Sequence, residues 1–190
     1  MSPTRKGDGV NRRDFLKLGN GLAAAGAVSS LGVASLAFIW PPSRGGGGAL
    51  VPLMTADELN AEIDDNDGRF EAPEAKSLIV RYDPALDPEG VYAEVTGDQA
   101  IPFMAMYQFC VHLGCKVPWC VTSQWWECPC HGSQYNRWGE WQGGPAPRGL
   151  DRYAVEEVDG IINVNRTALF TGPSRGAGAL AQPAEGPNCA

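Results

Sequence analysis

Two short stretches, Cys110-Val-His-Leu-Gly-Cys115 and Cys128-Pro-Cys-His-Gly-Ser-Gln-Tyr135, decide how this sequence is interpreted. Together they contain both histidines of the chain and four of its six cysteines. Thiolate and imidazole groups are the ligands that zinc and iron commonly take in proteins. Because each stretch carries cysteine and histidine close together, the sequence predicts two loops that converge on one metal site.

The ligand types alone leave two kinds of metal site open. A structural zinc ion takes four cysteine or histidine ligands, which these stretches could supply. A [2Fe–2S] cluster with two cysteines on one iron and two histidines on the other would take one of each from each loop. The repeated Cys-x-x-Cys and His-x-x-His spacings that are typical of zinc fingers do not occur in the sequence.

The two stretches resemble the cluster-binding boxes of the Rieske proteins, Cys-x-His-Leu-Gly-Cys followed by Cys-Pro-Cys-His-Gly-Ser. The similarity extends from about Phe103 to Tyr153. It implies an all-β Rieske head of antiparallel sheets, with a cluster-binding subdomain at about residues 103–150. It also implies one Rieske-type [2Fe–2S] cluster per chain, whose metal ligands are Cys110, His112, Cys128 and His131.

Four further residues resemble the branch of this family found in quinol-oxidising cytochrome bc and b6f complexes. The positions of Cys115 and Cys130 match a pair that joins the two loops by a disulfide in that branch, and two free thiols are the alternative. Export to an oxidising compartment would be consistent with the disulfide. Ser133 and Tyr135 match residues whose hydroxyls donate to cluster and ligand sulfur, which stabilises the reduced cluster and raises its potential.

Two more features resemble the surroundings of such a cluster. The stretch Gly143–Arg148, here called the proline loop, is similar to a loop that covers the cofactor from a third side. The resemblance therefore adds Gly144 and Pro145 to the cofactor-binding residues. Leu113 matches a residue that shields the cluster and lines the docking surface, although simple packing would also explain a leucine there.

The start of the chain combines a basic segment with a long apolar run. Residues 11–17, Asn-Arg-Arg-Asp-Phe-Leu-Lys, resemble a twin-arginine export signal, and a plain basic patch is the alternative. Residues 18–40 carry no charge, and about 22 helical residues at 1.5 Å each span a hydrocarbon core of about 30 Å. We predict a cytoplasmic signal region at 1–17 and one N-terminal transmembrane helix at 18–40. The alternatives for the apolar run are a cleaved signal peptide and a buried helix of a soluble protein.

The position of the basic residues predicts the topology. Because they precede the apolar run, we expect a cytoplasmic N-terminus, with the head on the extracytoplasmic side of a bacterial cytoplasmic membrane. Residues 41–49 include four consecutive glycines and predict a flexible hinge, with a passive spacer as the alternative. The head follows at 50–172 and an irregular tail at 173–190. Cys120 and Cys189 either form a second disulfide across this tail or stay unpaired.

Local signals within the head predict one helix and several strands. Thr55-Ala-Asp-Glu58 is a capping box for a short helix through about Ile63, and Asp64–Gly68 predicts a polar turn. Asp159-Gly160 predicts a tight hairpin. Stretches rich in β-branched and aromatic residues predict strands at Ser77–Tyr82, Val91–Val95, Ile101–Gln108, Gln124–Glu127, Tyr153–Val158 and Ile161–Asn165.

Charge narrows the class of partner, and the resemblance suggests the function. Residues 41–190 carry ten basic and twenty acidic side chains, which argues against nucleic-acid binding. The resemblance implies an electron-transfer subunit of a quinol–cytochrome c, or plastocyanin-type, reductase. His112 or His131 would then be catalytic, taking a proton from quinol as the cluster takes an electron. The implied partners are a cytochrome b subunit, a c-type cytochrome subunit, quinol and the lipid bilayer.

Three alternatives to this function remain open at the level of sequence. The first is the small Rieske subunit of an exported enzyme of the arsenite-oxidase type. The second is a ferredoxin-like carrier that feeds an oxygenase. The third is a redox-inactive binding module that is stabilised by zinc.

Overall fold

The first part of the chain is a single long helix. The computed structural model describes residues 11–39, 50–96 and 101–190, and the chain divides into one unit at 1–46 and another at 47–190. Helix α1 spans Arg12–Ile39 and begins after Asn11, whose side-chain oxygen accepts the Asp14 N–H at 2.9 Å. All side chains described for α1, those of residues 12–36, are exposed.

Helix α1 covers most of the predicted anchor. Its apolar side chains are exposed, and Val28 and Leu31 are 72% and 69% accessible. Among the residues that the structure describes, no helix has the combination of length and apolar character needed to cross a membrane. The side chains at the end of the predicted anchor (37–40), the predicted hinge (41–49) and the first ten residues of the predicted signal region all lie outside the described residues.

The second unit is built from short antiparallel strands, so the prediction of an all-β head is confirmed. Its helical elements are α2 (Ala56–Asp65), α3 (Ala93–Thr96) and a 3₁₀ turn at Pro84–Leu86. Its described strands are β1 (Leu50–Thr55), β2 (Arg69–Ala72), β3 (Ser77–Arg81), β4 (Phe103–Tyr107), β5 (Trp119–Cys120), β6 (Trp125–Glu127), β7 (Gln134–Tyr135), β8 (Trp141–Gly143), β9 (Arg152–Val158) and β10 (Ile161–Phe170).

Two sheets divide these strands. The large sheet has the order β1-β10-β9-β4-β3-β2, and the small sheet has the order β5-β6-β7-β8. Strands β4 and β9 are neighbours in the large sheet, where Ala105 pairs with Tyr153. The whole small sheet is therefore an insertion between two paired strands of the large one, and this insertion carries both predicted ligand loops.

The large sheet separates two hydrophobic cores. On β3 and β4, Ile79 and Phe103 face the core that contains Leu59 and Ile63 of α2. The alternate residues face a second core that the two sheets share, which contains Leu78, Val80, Met104, Met106, Trp126, Tyr135, Leu150 and the two cysteines Cys110 and Cys128. Because successive strand residues point to opposite faces, the same two strands support α2 on one side and the metal-binding insertion on the other.

Most local predictions agree with the structure. The capping box is present, with Thr55 N–H donating to Glu58 Oε2 at 3.0 Å and Glu58 N–H donating to Thr55 Oγ1 at 3.3 Å. The predicted hairpin at Asp159-Gly160 joins β9 to β10, with φ values of 53° and 77°. Strand β10 runs to Phe170, five residues beyond the predicted end, and β1, β2, β5, β7 and β8 are additional to the predicted strands.

The predicted strand at Val91–Val95 is wrong. These residues form a turn that leads into α3, because the buried Asp87 carboxylate accepts the backbone N–H groups of Val91 at 3.0 Å and Tyr92 at 2.9 Å. Such side-chain bonds compete with the pairing that a sheet would require. Tyr92 and Val95 are both buried, three residues apart, as expected for one face of a helical turn.

Candidate metal centre

The first ligand loop, Cys110–Cys115, is a tight turn closed by its own backbone. Cys110 N–H donates to the Cys115 carbonyl and Gly114 N–H donates to the Cys110 carbonyl, both at 2.8 Å. Gly114 has a φ of 80°, a left-handed conformation that favours glycine. The Leu-Gly pair in the motif therefore has a local reason, since the glycine lets the chain reverse and leaves Leu113 at the tip, 70% exposed.

The second ligand loop, Cys128–Ser133, repeats the same backbone pattern. Cys128 N–H donates to the Ser133 carbonyl at 2.8 Å, and Gly132 N–H donates to the Cys128 carbonyl at 3.0 Å. Gly132 has a φ of 72°. In both loops a cysteine opens the turn and a left-handed glycine follows four residues later, so the two boxes are structurally equivalent although their histidines occupy different positions.

The four predicted ligands form two pairs, one of cysteines and one of histidines, and each pair has one member on each loop. Cys110 and Cys128 are buried free thiols in the core that the two sheets share. The rings of His112 and His131 lie 4.8 Å apart between centroids, at 90° to each other. The histidines are more accessible than the cysteines, with His131 exposed and His112 half-buried. The arrangement therefore presents two thiols on the inner side and two imidazoles on the outer side.

A disulfide joins the loops beside these ligands. The Cys115 and Cys130 sulfurs are 2.11 Å apart, and their Cα atoms are separated by 6.6 Å. Cys115, Cys128 and Cys130 offer three sulfur atoms within 4.8 Å of one another. Two of these three sulfurs are bonded to each other, so Cys128 is the member of this group that can serve as a thiolate ligand.

The proline loop packs against the second ligand loop. Ala146 is buried, and its N–H donates to the Ser133 hydroxyl oxygen at 3.1 Å. Gly144 has a φ of 80°, and a β-carbon added there would lie 2.2 Å from the Gly132 carbonyl oxygen. Only glycine allows so close an approach to the second loop, whereas Pro145 beside it is exposed.

Tyr135 brings a hydroxyl group to the inner side of the site. It is fully buried, and its oxygen lies 3.1 Å from the sulfur of Cys110. Burial, followed by the contact with Cys110, raises the pKa of Tyr135 far above its ordinary value. The phenol therefore keeps its proton at any physiological pH and can act as a hydrogen-bond donor to the sulfur.

Opposing effects act on the pKa of Cys128. Burial raises the pKa of the Cys128 thiol, whereas the backbone N–H groups of Cys130 and His131 lower it. These two N–H groups point at the sulfur and favour its anionic form. A metal ion deprotonates a coordinating thiol outright, so the N–H groups are well placed to stabilise a bound thiolate.

The donor set fits a Rieske-type cluster. Each loop contributes one free buried thiol and one accessible imidazole, which is the ligand set that places two cysteines on one iron and two histidines on the other. The disulfide removes two of the other cysteines from competition for the metal. A single zinc ion could take the same four donors by type alone.

The sequence did not reveal how closely residues 173–190, the tail, are attached to the small sheet. A second disulfide joins Cys120 to Cys189. The buried Glu127 carboxylate accepts the backbone N–H groups of Cys189 at 2.6 Å and Ala190 at 2.8 Å. Buried Glu140 accepts the N–H of Leu180 at 2.9 Å. No local pattern announces these contacts, because the partners lie 40 or more residues apart along the chain.

Residues 55–154 match the family model described as the Rieske [2Fe-2S] domain. The chain is 34% identical over 154 residues to the chloroplastic cytochrome b6-f complex iron-sulfur subunit of Volvox carteri, covering 80% of this chain and 72% of that one. It is 34% identical over 143 residues to the cytochrome b6-f complex iron-sulfur subunit of a Synechococcus strain, covering 75% and 77%. A crystal structure of a plasma membrane Rieske protein from the cyanobacterium Synechocystis aligns at 26% identity and a TM-score of 0.38, covering 60% of this chain and 97% of that one.

Proposed function

We propose, from the premise that this chain belongs to the Rieske [2Fe–2S] family, that it is the electron-transfer subunit of a quinol-oxidising complex of the cytochrome bc or b6f type. The observation that carries this proposal is the pairing of two buried free thiols with two outward imidazoles across a disulfide-linked pair of loops. The relatives named as cytochrome b6-f subunits support the same assignment. They do not favour the arsenite-oxidase type of enzyme.

The cofactor is a Rieske-type [2Fe–2S] cluster, and we assign its ligands by position. Cys110 and Cys128 are the buried pair and would hold the inner iron. His112 and His131 are the accessible pair and would hold the outer iron, next to solvent or a docked partner. When bound, such a cluster supplies a one-electron couple whose potential is raised by the two histidine ligands.

The two histidines and the residues around the ligands would bind quinol, shield the cluster from water and adjust its reduction potential. An accessible imidazole, from His112 or His131, is placed to accept a hydrogen bond and then a proton from a quinol hydroxyl. Leu113 projects at the tip of the first loop and would exclude water when quinol and its protein partner dock. Tyr135 and Ser133 would donate hydrogen bonds to sulfur, which favours the more negative, reduced state.

The proposed partners follow from this role. Quinol would meet the accessible histidines at a site on a cytochrome b subunit, and a c-type cytochrome would take the electron from this chain. The Volvox and Synechococcus relatives are named as subunits of cytochrome b6-f complexes, which supports an assembly of this kind. The acidic balance of residues 41–190 would suit an electron acceptor with a basic surface.

We also propose that the N-terminal region anchors the protein. Helix α1 is 28 residues long, and the apolar run continues in sequence through Ala37–Trp40. Residues 1–17 would form a cytoplasmic twin-arginine signal region, 18–40 the single span and 41–49 a hinge, with the head (50–172) and the tail (173–190) outside the cytoplasm. Recovery of the full-length protein in the membrane fraction after alkaline carbonate extraction would support the anchor, and its complete release would refute it.

The hinge has a separate test. Replacement of Gly45–Gly48 by four prolines would stiffen the connection, since polyproline is an extended and semi-rigid spacer. We expect slower quinol oxidation by the assembled complex and an unchanged reduction potential, because the head itself is not altered. Unchanged turnover would show that the glycines act only as a spacer.

The principal experiment is a redox titration of the full-length protein, monitored by electron paramagnetic resonance at several pH values. We expect a Rieske signal with a positive potential that falls as pH rises, because proton uptake accompanies reduction. A negative potential that is independent of pH near neutrality would instead indicate a carrier of the ferredoxin or oxygenase type. Protein that contains zinc and gives no signal would refute the assignment.

A further inference from the structure

A side chain from the tail, that of Arg175, is hydrogen-bonded to the outer face of the proline loop. The Arg175 guanidinium donates to the Ala146 carbonyl at 2.8 Å and to the Gly144 carbonyl at 3.2 Å. It also lies over the Trp141 ring, 4.5 Å from its centroid, while the indole N–H of Trp141 donates to the same Gly144 carbonyl at 3.2 Å. One cation thus joins two loop carbonyls and the last strand of the small sheet.

The chemistry of the proline loop explains why it needs such a support. Pro145 and Pro147 have no N–H, so the loop has few donors with which to bind the rest of the protein. The Ala146 N–H between them is directed inward, to the Ser133 hydroxyl. The backbone carbonyls remain as the groups available on the outer side, and arginine can donate to two of them at once.

The tail holds Arg175 from both directions. On one side, the Gly149 N–H donates to the Pro173 carbonyl at 2.8 Å, and Ser174 forms a bridge with Arg148. On the other side, Leu180 is buried and its N–H is held by the Glu140 carboxylate. The backbone that carries Arg175 is therefore fixed on each side of it, which reduces the entropy that the side chain loses when it binds the loop.

We infer that Arg175 is a positioning residue for the metal centre, acting through the proline loop. This inference rests on the proposed function, since it concerns the loop that covers the proposed cluster. The path runs from the Arg175 guanidinium to the Ala146 carbonyl, through the Ala146 N–H to Ser133, and from Ser133 to the second ligand loop. Loss of Arg175 loosens the Ala146–Ser133 bond and leaves the Ser133 hydroxyl free to rotate, so that it would no longer be held as a donor toward a bound cluster.

The direct test is amide hydrogen exchange in full-length Arg175→Ala protein. Exchange in Gly143–Arg148 must be resolved to single amides, because only the Ala146 N–H, and not those of Gly143, Gly144 or Arg148, reports on the bond to Ser133. We expect exchange there to become about tenfold faster or more, as the loss of a charged donor implies, with little change elsewhere in the head. Arg81→Ala is the matched control, because this exposed arginine also makes three hydrogen bonds, to Asn60 and Asp64.

A second readout connects the loop to the metal centre. We expect the reduction potential of Arg175→Ala to fall and the cluster to be lost faster, with Arg175→Lys intermediate because an ammonium group cannot reproduce the planar fork. Unchanged exchange in the loop, equally faster exchange throughout the head, or an unchanged potential despite faster loop exchange would each overturn the inference. Absence of a Rieske signal in the unsubstituted protein would instead refute the proposed function, and the exchange data would still show whether Arg175 holds the loop.

Discussion

The hydroxyl oxygen of Tyr135 lies 3.1 Å from the sulfur of Cys110, and both groups are buried in the core that the two sheets share. Because the pKa of Tyr135 is raised by burial, this phenol remains a donor across the physiological pH range. We expect Tyr135→Phe to retain the cluster and to lower its reduction potential by about 40 to 65 mV. This follows if one hydrogen bond to a charged sulfur contributes roughly 1 to 1.5 kcal/mol to the difference between redox states.

Protein-film voltammetry of the two proteins would measure this shift. Tyr153→Phe is the control, since Tyr153 is also a buried tyrosine with a raised pKa but is packed against Tyr107 in the other core. Equal potentials in Tyr135→Phe and the unsubstituted protein would show that the hydroxyl does not donate to the ligand sulfur.

Removal of each of the two disulfides should have a different effect on the protein. The Cys115–Cys130 bond closes a loop of 15 residues, for which chain entropy suggests a stabilisation of about 3 kcal/mol. We expect Cys115→Ser/Cys130→Ser to lose its cluster several times faster, because the two ligand loops are then free to separate. The decay of the visible absorbance at a fixed temperature would measure this lifetime.

The Cys120–Cys189 bond closes a loop of 69 residues and should contribute about 4 kcal/mol to the free energy of unfolding. It does not connect the ligand loops to each other. We expect Cys120→Ser/Cys189→Ser to unfold at a lower denaturant concentration, while the electron paramagnetic resonance spectrum of its cluster stays unchanged. A variant of this second pair with an altered spectrum and normal stability would contradict the separation of roles.

Gly144 should tolerate no side chain. Alanine at this position combines a φ of 80° with a β-carbon 2.2 Å from the Gly132 carbonyl oxygen and 2.6 Å from the Ser133 Cα. We expect Gly144→Ala to displace the proline loop and to lower the reduction potential. The free energy of unfolding should fall by more than the roughly 1 kcal/mol that an alanine in the left-handed conformation requires. Chemical denaturation and a redox titration would measure the two effects.

Gly160, in the hairpin between β9 and β10, provides the matched control for this substitution. Its φ is 77°, but no atom lies within 4 Å of the β-carbon that alanine would add. Gly160→Ala therefore introduces the same backbone strain without the collision. If the two variants lost equal stability and kept equal potentials, the close packing of Gly144 against the second loop would have no energetic role.

Alkaline pH should weaken the head through Tyr82. Burial, followed by donation to the Asp87 carboxylate at 2.9 Å, raises the pKa of Tyr82 to about 12. Because an unfolded tyrosine titrates near 10, the folded chain holds this proton where the unfolded chain has released it. Below about pH 10, the contribution of Tyr82 to the free energy of unfolding is complete. As pH rises from about 10 to about 12, the free energy of unfolding falls by at most about 1.4 kcal/mol per pH unit.

Urea unfolding of the unsubstituted protein and of Tyr82→Phe between pH 8 and pH 12 would isolate this contribution. We expect the variant to be less stable at pH 8, because Asp87 loses a hydrogen-bond donor, and to lose less further stability above pH 10. Parallel curves for the two proteins across this range would show that Tyr82 has no abnormal titration in the folded state.

Patterns that depend on neighbours in sequence were readable before the structure. The Thr55–Glu58 capping box and the Asp159-Gly160 hairpin are local, and each occurs where it was predicted. The strands β3, β4, β6 and β9 were found because they are rich in β-branched or aromatic residues. The ligand boxes could be located for the same reason, since each loop is closed by bonds within six residues.

Features that depend on distant partners could not be read in this way. Val91–Val95 has the composition of a strand, but the Asp87 carboxylate holds two of its N–H groups in a turn. Strands β5 and β7 have two residues each, too few to show alternation, and exist because they pair with β6. The support that Arg175 gives to the proline loop acts across 29 residues and has no sequence signature.

The attachment of the tail also bears on the order in which the protein can be made. Cys189, whose N–H is held by Glu127 and whose sulfur is bonded to Cys120, is synthesised long after the strands that it fastens. During translation, β5 and β6 therefore emerge without the segment that completes their surroundings. The metal-binding module can therefore reach its final form only after the ribosome has passed residue 189, long after both ligand loops have been made.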